Sequence, residues 1–123
     1  MDKIGWHSLQ KQNDMLTIEN FTNIEGIDFK LSSGKKFIIG IAKDEGKHYT
    51  FGVFPLLENN VASIKDVIVY KLYKDILYGG DYYHGYWLES PKMKRIVKVK
   101  PENLTLKNFI LELHIQTAKI CSQ

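Results

Sequence analysis

Three short runs between Gly26 and Pro55 alternate apolar and polar residues, and two three-residue connectors ending in glycine join them. In IDFKL one face carries Ile27, Phe29 and Leu31; in KKFIIGIAK it carries Phe37, Ile39 and Ile41; in HYTFGVF it carries Tyr49, Phe51 and Val53. A period of two is that of a pleated strand with one buried face. Ser32-Ser33-Gly34 and Asp44-Glu45-Gly46 both fit a type I turn followed by a left-handed residue, where glycine carries no Cβ penalty. Pairing Leu31 with Lys35 sets Phe29 against Phe37 and Ile27 against Ile39. Pairing Lys43 with Lys47 sets Ile41 against Tyr49 and Ile39 against Phe51. A slip of one residue would send every apolar side chain to solvent, so this register predicts a three-stranded antiparallel meander. Pro55 ends its third strand, having no N–H to give a ladder.

The remaining chain continues the pattern. LLENNVASIKD predicts a short helix starting near Asn59 or Asn60. In the residues after it, charges scatter around the whole helical circumference, which excludes an amphipathic helix. Val67, Ile68, Val69 and Tyr70 are strand formers, and the expectation is a strand near 66–73. DYYHGYWLES is its neighbour across a Gly79-Gly80 turn. After Ser90-Pro91, KRIVKVK alternates again, with Val97 and Val99 on one side and Lys94, Lys98 and Lys100 on the other, as the third strand of a second meander. At the C-terminus, Leu106, Phe109, Ile110, Leu113, Thr117 and Ile120 form one apolar stripe at 3.6 residues per turn. Thr105 is placed to cap that helix, with Pro101 just upstream, where proline costs little. The expected fold is a single α+β domain, residues 1–123, of two antiparallel β-meanders with a packed C-terminal helix. Three strands and a helix, twice over, would be an internal duplication, although no repeated sequence accompanies it.

Composition excludes several classes. A chain of 123 residues with 44% hydrophobic and 25% charged residues is ordinary for a globular domain. Its single cysteine, Cys121, forms no internal disulfide, which favours a reducing compartment. MDKIGWHSLQKQ has no apolar signal-peptide core, and no run approaches a membrane span. The expectation is a cytoplasmic protein with no membrane partner. The net charge of +3 is uneven. Residues 1–28 carry Asp2, Asp14, Glu19, Glu25 and Asp28 against Lys3 and Lys11. Residues 92–123 carry Lys92, Lys94, Arg95, Lys98, Lys100, Lys107 and Lys119 against Glu102 and Glu112. Arg95 is the only arginine, and this counts against a reader of DNA bases, which would use guanidinium forks.

No motif names a reaction. His7, His48, His84 and His114 have no metal-ligand spacing, and one cysteine cannot build a thiolate zinc site. Cys121 sits at a helix C-terminus, where the dipole has the wrong sign for a thiolate. The glycines match neither a P-loop nor a dinucleotide fingerprint. The expectation is therefore no metal, no cofactor, no catalytic residue and no enzyme activity. A histidine-based ribonuclease would need two histidines, such as His7 and His114, to meet in space. Leu111 and Ile115, one turn apart, form a second small apolar patch off the helix's main stripe. Its reading is either contact with the segment around Trp6 or a homo-oligomer contact.

The segment Tyr78 to Trp87, YGGDYYHGYW, concentrates four of the seven tyrosines and one of the two tryptophans. In an extended strand Tyr82, His84 and Tyr86 share one face and Tyr83 and Trp87 the other. One of these sets packs under the helix, and the other is available to bind. Tyrosine and tryptophan are enriched in protein interfaces. The expected partner-binding residues are Asp81, Tyr82, Tyr83, His84, Tyr86 and Trp87, with Asp14, Glu19, Glu25 and Asp28 as a local acidic patch.

In size, composition and architecture the chain resembles the immunity proteins of bacterial contact-dependent growth-inhibition and related polymorphic toxin systems. That resemblance spans the whole chain and rests on no diagnostic motif. It implies occlusion of a cognate protein toxin, often a nuclease, without any cofactor. The chain departs from the pattern in being mildly basic where nuclease-blocking immunity proteins are often acidic. The alternative reading is a single-stranded nucleic-acid-binding module using Tyr82, Tyr83, Tyr86, Trp87, Lys94, Lys98 and Lys100, in which rings stack on bases beside a basic strand.

Overall fold

The computed structural model describes residues 15–44, 48–90 and 95–122. It is an α+β fold built on one six-stranded antiparallel sheet in simple sequential order. The strands are β1 (Asp28–Lys30), β2 (Lys36–Asp44), β3 (His48–Pro55), β4 (Ile68–Tyr78), β5 (Asp81–Ser90) and β6 (Arg95–Lys98), followed by the helix α1 (Leu106–Cys121). Pairing of β3 with β4 fuses the two expected meanders into one sheet.

The first hairpin has the expected register. Phe29 faces Phe37, Leu31 and Lys35 close the turn through a 2.9 Å bond, and Gly34 takes a φ of +96°. The second hairpin corrects the expectation. Ile41 lies opposite Phe51 and Ile39 opposite Val53, two residues from the predicted pairing. Nearer the turn, a bulge at Ala42 changes the register by one more residue, pairing Lys43 with Thr50 and Asp44 with Tyr49. A slip of two keeps every side chain on its face, so alternation alone could not detect it. The connector at Glu45–Lys47 lies outside the described residues.

The helix expected near Asn59 or Asn60 does not form. Leu56 and Ala62 bridge across a tight reversal, in which Asn60 takes a φ of +63° and Asn59 Oδ1 accepts the Val61 N–H. Asparagine favours such turns because its short side chain can bond to nearby backbone. Without that helix there is no duplication of three strands and a helix. The strand expected at 66–73 starts at Ile68 and runs on to Tyr78. Gly79 and Gly80, at φ +61° and +92°, make the two-residue hairpin into β5.

One sheet face carries the core. Phe37, Ile39, Phe51, Val53, Ile68, Tyr70, Leu72 and Leu88 are all buried there. Thr105 caps α1 through its side chain, which accepts the Asn108 N–H. The helix lays Phe109 against Phe51 and Phe21 and Thr117 against Tyr70, hydroxyl to hydroxyl at 2.9 Å. Phe21 and Ile24, in a single 3-10 turn (Phe21–Ile24), are fully buried beside it. Leu111 and Ile115 stay about half exposed, at 51% and 49%, and Trp6 lies outside the described residues. No helix among the described residues is long and apolar enough to cross a membrane.

Candidate functional site

The core side of β5 bears Leu88 and Tyr86. Leu88 is buried, Tyr86 packs against the core, and the Tyr86 hydroxyl accepts the Ile18 N–H at 3.2 Å. Tyr86 is thus a structural residue in this fold. Tyr82 and His84 share its parity but lie past the core. They pack on each other edge to face at 4.5 Å and are exposed.

Trp87 and Tyr83 occupy the outer face, which α1 does not cover. Alternation on β3 and β4 brings His48 and Tyr73 to the same face, since their neighbours Tyr49 and Leu72 are buried. Trp87 lies opposite Tyr73, and the rings of Tyr73 and His48 approach to 5.0 Å. Tyr78 joins them, so that Tyr73–Tyr78, Tyr78–Tyr83 and Tyr83–Trp87 form a chain of edge-to-face contacts at 6.0, 6.1 and 4.8 Å. This arrangement suits ring quadrupoles. Lys98, opposite Trp87 on β6, holds its ammonium 6.0 Å from the Trp87 ring.

Tyr73 and Tyr78 are five residues apart, so regular alternation would put them on opposite faces. A bulge reverses the parity between them. From the pair Lys74–Tyr86 to the pair Ile76–Tyr83, β4 advances through Asp75 alone while β5 advances through Gly85 and His84. Asp75 takes a φ of +52° and Gly85 one of +88°, and Asp75 Oδ1 accepts the Gly85 N–H at 2.7 Å. Bulges of this kind redirect side chains and recur near functional sites. Left-handed backbone at a residue with a Cβ is a local cost.

Glu89 lies at the centre of the cluster's polar contacts. Tyr73 donates its hydroxyl to Glu89 Oε1, and Tyr78 donates to Oε2 at 3.1 Å. The bond to Glu89 holds the Tyr78 phenol above its ordinary value, because ionising it would forfeit that donation beside a negative charge. Trp87 Nε1–H is bound to the His84 carbonyl at 2.8 Å.

The other sequence-selected residues do not join this cluster. Glu19 and Glu25 are exposed beside the 3-10 turn that packs on the helix side. Asp28 is on edge strand β1, far across the sheet from β5. Asp81 is exposed at the β4–β5 turn, and Lys100 is exposed after β6. Asp14, His7 and Lys94 lie outside the described residues. His114 is held by the Lys30 carbonyl at 3.0 Å and by the Phe29 ring. Sequence reasoning missed His48, Tyr73, Tyr78 and Glu89. The available signal was Asp75 facing Gly85: both are poor strand residues in mid-strand, and both tolerate positive φ.

Comparison with protein families, with characterised proteins and with solved structures found no match to this chain.

Proposed function

We propose that this protein works by binding one protein partner through the outer face of β3–β6, and that the partner is a cognate toxin domain which it occludes, in the manner of the immunity proteins it resembles. The observation that carries the binding reading is the chain of tyrosines ending at Trp87 on the sheet face α1 leaves uncovered. Tyrosine and tryptophan give large, rigid contact area with a polar tip, and such residues dominate the energetics of protein interfaces. The left-handed bulge at Asp75 supports the reading, because it brings Tyr78 to the face of Tyr73 and Trp87 at a local backbone cost.

A single-stranded nucleic acid is the second reading, favoured by Lys98 beside Trp87. The Glu89 carboxylate weighs against it, since it would face a phosphate backbone from the middle of the same cluster.

The test uses the product of the adjacent open reading frame, titrated calorimetrically with the wild-type chain and with Tyr83→Ala/Trp87→Ala. Stoichiometric binding and neutralisation are expected. Loss of two central rings should cost at least about 2 kcal/mol, roughly thirtyfold in Kd. A wild-type chain that neither binds nor neutralises, or a folded double variant that binds undiminished, overturns the proposal. Oligonucleotide binding at low salt that falls steeply as salt rises would instead favour the second reading.

A further inference from the structure

The chemistry of the outer face points to a more specific ligand, resting on the reading that this face binds a protein. Glu89 presents both carboxylate oxygens to the cluster, one accepting from Tyr73 and the other from Tyr78. An ionised carboxylate offers about four lone-pair sites, so one tyrosine on each oxygen leaves capacity on both. Lys71 lies opposite Glu89 in register, yet Glu89 forms no ion pair among the described residues. The result is a half-buried carboxylate, oriented by two phenols and with no ion pair to a described residue.

The surroundings suit a planar cation. Tyr73, Tyr78, Tyr83 and Trp87 follow one another edge to face, and this geometry turns aromatic faces in several directions. Ring faces are electron-rich and attract cations. Lys98 already sits within reach of the Trp87 ring. A guanidinium would meet both needs. Its fork matches two carboxylate oxygens, and its plane stacks on aromatic rings better than an ammonium does.

We infer that Glu89, walled by Tyr73, Tyr78, Tyr83 and Trp87, is a receptor for an arginine side chain of the partner protein. The tyrosine hydroxyls hold the carboxylate in place, the rings accept the guanidinium face, and the Asp75 bulge is the positioning device that brings Tyr78 to this side. An arginine on a toxin surface would be neutralised and sequestered at once.

The probe is the blocked tripeptide acetyl-Gly-Arg-Gly-amide, followed by two-dimensional NMR through the Trp87 indole N–H and the tyrosine ring signals. Its comparators are the same peptide with citrulline, which keeps shape and loses charge, and with lysine. The arginine peptide should shift these signals saturably and bind about tenfold more tightly than the citrulline peptide, with lysine between them. Glu89→Gln keeps an acceptor for a tyrosine hydroxyl and removes the charge, and it should bring the arginine peptide down to the citrulline level. Equal binding of arginine and citrulline peptides, or an unchanged affinity in Glu89→Gln, overturns the inference. Should Glu89→Gln fail to fold, Tyr83→Leu serves instead, with loss of arginine preference expected and its retention overturning the role of the rings. The two proposals fail separately. A partner that is lost by Tyr83→Ala/Trp87→Ala but not by Glu89→Gln leaves the binding face in place and removes the arginine receptor.

Discussion

Asp75 supplies the most direct test of how the outer face is built. Its carboxylate accepts the Gly85 N–H at 2.7 Å, and its backbone sits at φ +52°. These two features separate three substitutions. A hydrogen bond to a charged acceptor is worth about 1.5–3 kcal/mol, and partial exposure here places it at the lower end. Left-handed backbone costs an ordinary residue about 1–2 kcal/mol, which Asp and Asn reduce through local hydrogen bonding and Gly avoids. Asp75→Asn keeps an acceptor and tolerates the backbone, so it should cost below about 1 kcal/mol. Asp75→Gly loses the bond but relieves the backbone, for a net cost of about 1 kcal/mol. Asp75→Ala loses the bond and keeps the full backbone cost, about 2–4 kcal/mol in all. Urea unfolding followed by far-UV circular dichroism gives the ranking, and near-UV circular dichroism of the folded variants reports on the tyrosine chain. If alanine and glycine cost the same, backbone strain is not part of the device. If alanine leaves both stability and the near-UV bands unchanged, the bulge does not position Tyr78.

Three further outcomes follow from the packing. Thr117→Val strands the Tyr70 hydroxyl in the core at a cost of about 1–3 kcal/mol, whereas Tyr70→Phe leaves Thr117 free to bond back to its own helix and costs less; the double variant should cost less than the sum in urea unfolding. Gly52→Ala places a Cβ 2.7 Å from Val67 Cγ2 and 2.8 Å from Phe54 Cε1, so it should lose about 1–3 kcal/mol by overpacking, less so alongside Phe54→Ala. Burial pushes the Tyr70 phenol from 10.0 up to about 12. A raised phenol value favours the folded state fully below about pH 10, and the benefit is lost as pH rises towards 12. Unfolding free energy should therefore fall across that alkaline window, with a shallower slope in Tyr70→Phe.

The sheet was legible where local rules act alone. Alternation found the core face of β2 and β3, glycine placed the turns at Gly34 and Gly79-Gly80, and Thr105 marked the start of α1. The segment at 56–62 was misread because polar residues there serve a tight turn as readily as a helix, and Asn60 settles the matter by adopting φ +63°. The register of the second hairpin was hidden because an offset of two residues leaves the apolar side chains on the same face. The candidate site was half hidden for a related reason. Parity correctly divided β5 into Tyr86 on the core side and Tyr83 with Trp87 on the outer side. Applied to β4, the same rule separates Tyr73 from Tyr78, and only the left-handed turn at Asp75 reunites them. Glu89 could not be selected at all from its own neighbourhood, because its importance lies in two hydroxyls donated from another strand. The lesson is physical: a residue other than glycine held at positive φ can reverse the alternation of its own strand, so an aspartate facing a glycine in mid-strand is a place to restart the count on the aspartate's strand. Restarted at Asp75, the alternation puts Tyr73 and Tyr78 on one face.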